Sequence, residues 1–116
     1  MMPAARLITN FTTTVKENDI ATHVIESAKL HFADAIGVGL AASAGTMQNR
    51  WYGSIDKGGT ATCIGGHSAS PADAALLNGM LIHSLEYDDT HTSSVIHGSA
   101  VAAPSALAAA EEANCS

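Results

Sequence analysis

The sequence predicts an all-α chain of packed helices with at most one short strand, and three observations carry that expectation. Apolar residues recur at helical spacing through Ile20, Val24, Ala28, Phe32, Ala35 and Leu40, the stripe of an amphipathic helix. Ser70-Pro71-Ala72-Asp73 combines an N-cap hydroxyl, a proline at the first helical position and a carboxylate placed for a capping box, which together mark a helix start. Apolar residues make up 47% of the chain but aromatics only 4%, so burial must come from small side chains that let helices approach closely.

Taken in order, Leu7, Phe11 and Val15 define a short helix from Leu7 to Val15, weakened by the β-branched run Thr12-Thr13-Thr14. Asn18 and Asp19 offer capping oxygens to a long helix from Ile20 to Ala42. Gly37 and Gly39 within it cost about 1 kcal/mol each relative to alanine, a cost that close packing against a neighbour explains. His23 and His31 read as surface or core-edge histidines on the same helix. Ser43 to Gly59 is glycine-rich and looser, with a helical turn around Met47, Trp51 and Tyr52, and Thr60 to Ile64 reads as a short strand ending at Gly65-Gly66. That glycine pair lacks the framework of a phosphate loop.

The helix starting at Ser70 is expected to reach Tyr87, burying Leu76, Leu77, Met80, Leu81 and Ser84, with His83 and Glu86 as neighbours on another face. A polar loop through Asp88, Asp89, Thr90, His91 and His97 follows. A last helix begins at Ser99 or Ala103, with Pro104 in its first turn, and runs to Glu112. Six of the chain's seventeen His, Asp and Glu side chains fall within the fifteen residues from His83 to His97. Read from residue types alone, that cluster is either a solvated connector or a site.

Composition narrows the choice of partner. Five Lys and Arg stand against eleven Asp and Glu, a net charge of -6, which leaves no basic surface for nucleic acid or anionic membrane. No apolar run approaches the roughly 18 residues that a membrane span needs. Cys63 and Cys115 form no disulfide framework or zinc ladder, and with no targeting segment in MMPAARLITNF the expected location is cytoplasmic. His83, Asp88, Asp89, His91 and His97 offer ligand types for a divalent metal, but no HExxH or HxH spacing is present, so no metal site is assigned.

The run SPADAALLNGMLIHSLEYDDTHTSSVIHGSAVAAPSALAAAEE closely resembles the N-terminal helical part of the MmgE/PrpD family, which includes 2-methylcitrate dehydratase, cis-aconitate decarboxylase and iminodisuccinate epimerase. The upstream helix HVIESAKLHFADAIGVGLAAS resembles that family's early helix. The resemblance implies that residues 1–116 are part of a larger helical domain, in proteins that add a smaller α/β domain and act as homodimers without metal or organic cofactor. It further implies proton transfer next to a carboxylate in small di- and tricarboxylic acids. By family pattern the catalytic positions are Glu86, Thr90 and His97, with Asp89 and His91 in the same signature as substrate-binding candidates. Glu86 is longer than the Asp that many members carry there.

Such chemistry needs a base at the C–H bond, an acid at the leaving group and donors for the carboxylates. His97 has the pKa for acid or base work, Glu86 can act as base or orient an imidazole, and Thr90 can donate to a substrate oxygen. Arg6, Lys16, Lys29, Arg50 and Lys57 all precede the signature, so the cations for a polycarboxylate are expected from the rest of the domain, a homo-oligomer or a second chain. The expected activity of the chain alone is therefore low. The alternatives from other classes are a non-catalytic helical interaction module and a divalent-metal-binding domain.

Overall fold

A computed structural model describes residues 3–45, 47–55 and 57–115. The chain divides into two compact units, one up to Leu30 and one from His31 onward. In the first unit, α1 (Ala4–Thr14) buries no residue, and its Leu7, Ile8 and Phe11 are exposed. It starts three residues before the expected Leu7. The hydroxyls of Thr12, Thr13 and Thr14 bond back to carbonyls one turn earlier, so the β-branched run satisfies its hydroxyls inside the helix, which continues through it to Thr14. A short 3-10 turn, Glu17–Asp19, follows. There Asp19 accepts from the backbone N–H of Lys16 at 3.0 Å, and α2 (Thr22–Ser43) begins beyond it.

In the second unit the buried residues of α2 are Ala35, Gly39 and Ala42, whereas Phe32 and Leu40 from the expected stripe are exposed. The helix therefore buries its smallest residues. A Cβ on Gly39 would stand 2.7 Å from Cδ1 of Ile64 and 3.2 Å from Cγ1 of Ile82, so any larger residue there would force the Ile64 side chain to shift. Gly37, by contrast, faces open space.

After α3 (Met47–Tyr52) the expected strand appears as β1 (Lys57–Cys63), and it has a partner, β2 (His67–Ala69). The two pair antiparallel with an irregularity between Lys57 and Ala61, joined by a turn in which Gly65 and Gly66 both take positive φ. The mostly helical class holds; the three-residue β2 is too short to show a period in sequence.

Two helices pack on β1. The first, α4 (Pro71–His83), starts as expected: Ser70 Oγ accepts from the Asp73 N–H at 3.2 Å and donates to Oδ2 of Asp73 at 2.8 Å. It buries Leu77, Leu81 and Ile82 together with Asn78. The Asn78 amide accepts from the Ile64 N–H at 2.7 Å and donates to the Thr62 carbonyl at 2.9 Å, fastening the helix to the end of β1. Leu76, expected inside, is exposed.

The second, α5 (Gly98–Glu112), encloses Pro104 well inside the helix instead of in its first turn. Proline there leaves the Ala100 carbonyl without its helical donor, and α4 fits against that gap: a Cβ on Gly79 would come within 2.8 Å of the Ala100 oxygen. At the far end of α5, Glu111 accepts from the N–H and hydroxyl of Thr62. The core is thus a tight α4–α5 pair laid on a short hairpin, and it fixes both ends of the loop between the helices. No helix among the described residues is long and apolar enough to cross a membrane.

Candidate functional site

The expected helix to Tyr87 ends four residues early, and that early end creates the site. The Ser84 and Glu86 N–H groups bond to Leu81 and His83 carbonyls three residues back, and Ser84 Oγ takes the Leu81 carbonyl as well. Glu86 then adopts φ 56, a left-handed conformation that turns the chain out of the helix. His83 is left at the final position of α4, and Asp88 is carried back underneath it.

Asp88 is the centre of the cluster. Its side chain is 0% exposed, and among the described residues the other buried polar one is Asn78. One carboxylate oxygen, Oδ2, lies 3.1 Å from Nδ1 of His83 and 3.3 Å from Nδ1 of His97. The two imidazoles meet edge to face with centroids 4.7 Å apart. The bond to Asp88, then its charge, and more weakly the Glu86 carboxylate, raise the His83 pKa above its ordinary value against a smaller opposing effect of desolvation.

The three residues implied by the family pattern reach this cluster by different routes. His97 Nδ1 lies 3.5 Å from Thr90 Oγ1, so these two are brought together directly. Glu86 is joined to them through His83, its Oε1 standing 3.7 Å from His83 Nε2 on a side chain that is 74% exposed.

Asp89 diverges from its neighbour. Its Oδ1 accepts from the Ser99 N–H at 2.9 Å and so caps α5, while Oδ2 lies 3.9 Å from Nδ1 of His31. Burial would raise the Asp89 pKa, but the bonds from Ser99 and the proximity of His31 together lower it. His91 serves its own turn: its N–H bonds to the Ile96 carbonyl at 2.9 Å, and its Nδ1 is 2.7 Å from Ser94 Oγ.

His83 and His97 stand at the polar end of an open groove of about 640 Å³ whose remaining walls are mostly apolar, including Leu76, Met80, Val95, Ile96 and Val101. No lysine or arginine lines it. The ligand atoms of His83, Asp88 and His97 lie within 4.8 Å of one another, close enough to share an ion, yet contacts of 3.1 and 3.3 Å between imidazole and carboxylate are what hydrogen-bonded pairs also show. Sequence reasoning noted His83 beside Glu86 but gave it no role, and of the two aspartates it singled out Asp89 and not Asp88. The available signal was the position of His83 at the end of the apolar run of α4, where a helix terminus meets a polar loop.

Comparison with known proteins identifies the family. The family model described as the MmgE/PrpD N-terminal domain matches residues 6–116. The cis-aconitate decarboxylase-like protein oryM of Aspergillus oryzae is 34% identical over 106 residues, covering 88% of this chain. The chain spans 22% of that relative's length. No solved structure matches significantly. A match over nearly the whole length, together with a curated relative at this identity, establishes that the chain belongs to the MmgE/PrpD family, in its N-terminal domain.

Proposed function

We propose that this chain supplies the N-terminal share of an active site that moves protons next to a carboxylate in small di- or tricarboxylic acids, as a lyase or isomerase working through side-chain acid–base groups. The observation that carries the reading is the approach of Thr90 to His97, which lines the imidazole end of the groove, in a chain of this family. His97 serves as the acid or base at the reacting centre, Thr90 donates to a substrate oxygen, and Glu86 supports the neighbouring imidazole. Asp89 contributes by holding the start of α5 and so the position of His97. The hydroxyl-rich turn around His91 borders the site, where it can meet the far end of a substrate.

A polycarboxylate also needs cations, which the groove does not supply from its own lining. Their source is the rest of a larger helical domain or a second copy of the chain. The exposed Leu76, Val95, Ile96 and Val101 offer such a neighbour an apolar surface. The same surface favours the second reading, a helical interaction module with no chemistry of its own.

NMR spectra of the chain titrated with 2-methylcitrate, cis-aconitate and iminodisuccinate test the proposal. The expected outcome is weak binding that moves the signals of Thr90 and His97, with little turnover. Robust turnover by residues 1–116 alone would overturn the shared-site reading. Binding that leaves both signals unmoved would favour the interaction module.

A further inference from the structure

We propose that His83 is a second acid–base residue of this site and that Asp88 is the positioning residue that sets both imidazoles, so that His83 and His97 work as a pair around one buried carboxylate. The inference rests on the acid–base reading given above and extends it to two residues that the family pattern did not single out.

The geometry supports it in three ways. First, a fully buried carboxylate needs partners, and the groups within bonding distance of Asp88 are two imidazole Nδ1 atoms on opposite sides of the loop, at 3.1 and 3.3 Å. An acceptor at Nδ1 holds the proton there and leaves Nε2 as the working nitrogen of each ring, the arrangement that a carboxylate imposes on a catalytic histidine. Second, both rings line the same groove, 4.7 Å apart, so one small substrate can touch both. Third, the surroundings of the rings are unequal. His83 has Glu86 at 3.7 Å from Nε2 as well as Asp88 at Nδ1, whereas His97 has Asp88 and the neutral Thr90 hydroxyl. His83, beside two carboxylates, is assigned as the proton donor, and His97, beside one carboxylate and a hydroxyl, as the proton acceptor.

The pair then balances its own protons. His97 Nε2 takes the proton from carbon, and the C–H electron pair forms the new double bond. The C–O electron pair leaves with the oxygen, which takes the Nε2 proton of His83 and departs as water. His97 becomes the imidazolium and His83 the neutral imidazole, while the charge on Asp88 is unchanged. Exchange of one proton with solvent at each ring restores the start.

Nitrogen-15 NMR of the imidazoles in the whole chain tests this without requiring turnover. The expected spectrum shows Nδ1–H in the neutral form of both His83 and His97. In Asp88→Asn the His83 midpoint falls back toward about 6.5, whereas Asp89→Asn leaves it in place. Neutral rings carrying the proton on Nε2 in the unmodified chain would overturn the positioning role of Asp88, a result that stands even if Asp88→Asn does not fold. With cis-aconitate as the probe, the Nε2 signals of both rings should move. Movement of the His97 signal alone would overturn the role of His83 and leave the site intact, whereas movement of neither would overturn the functional reading itself.

Discussion

His91 and His97 belong to the same polar loop, and both have hydroxyls nearby, yet the structure gives them opposite situations. His97 sits at the start of α5, against a buried carboxylate and across from a second imidazole. His91 is turned into its own hairpin-like bend, tied to Ser94 and bridged by its backbone to Ile96. Residue type does not separate the two. What separates them is the chain around each: the end of α4 and the start of α5 converge on His97, whereas His91 makes its hydrogen bonds within its own loop. A histidine here becomes chemically useful when two rigid elements hold it.

The sharpest way to break this contrast is to remove the carboxylate at its centre. Asp88→Ala should cost roughly 2–3 kcal/mol in chemical denaturation, because it removes charge-assisted bonds from a buried position. His91→Ala, which loses contacts to the exposed Ser93 and Ser94 hydroxyls, should cost less than about 0.5 kcal/mol.

A smaller effect is expected from the helix crossing that positions His83. Gly79→Ala drives a Cβ against the Ala100 carbonyl and should cost about 1–2 kcal/mol. It should also perturb the His83 and His97 ring signals while leaving those of His91 in place. Gly37→Ala, with open space at its Cβ, should be neutral or stabilise by up to about 1 kcal/mol.

Next in size is the cap on α5. Asp89→Ala should cost about 1 kcal/mol. Because the folded-state pKa of Asp89 is lowered, its contribution is present above the unfolded value near 3.8 and is lost as pH falls through the folded one. The difference between Asp89→Ala and the unmodified chain should therefore shrink in acid. For His83 the sign is reversed: its raised folded pKa stabilises the fold below about pH 6.5 and loses effect as pH rises through the folded value.

Much of the scaffold was legible in sequence because local signals agreed with tertiary ones. Ser70, Pro71 and Asp73 mark the start of α4 by capping chemistry that needs no distant partner. The signals that failed were those that tertiary packing overrides. In α2 the apolar stripe pointed to Phe32, Ala35 and Leu40; Ala35 is buried as expected, but beside the close approach of Ile64 and Ile82 the other buried residues are Gly39 and Ala42, not Phe32 or Leu40. Pro104 looked like a first-turn residue, and it lies inside α5 because Gly79 packs against the carbonyl it leaves unbonded.

The site was legible as a region and as a family signature, but not as a geometry. Asp88 and Asp89 are identical in type and adjacent, and only the left-handed turn at Glu86 decides that one reaches the imidazoles and the other caps a helix. His83 falls at the edge of a helix that the sequence pattern extended to Tyr87, so its place at a helix terminus was hidden.

The most direct test of the account is the through-space coupling between imidazole ring protons in the intact chain at neutral pH. The account predicts a cross-peak between His83 and His97, whose ring centroids are 4.7 Å apart, and none from His91 to either. A missing His83–His97 cross-peak, or one linking His91 to the pair, would contradict it.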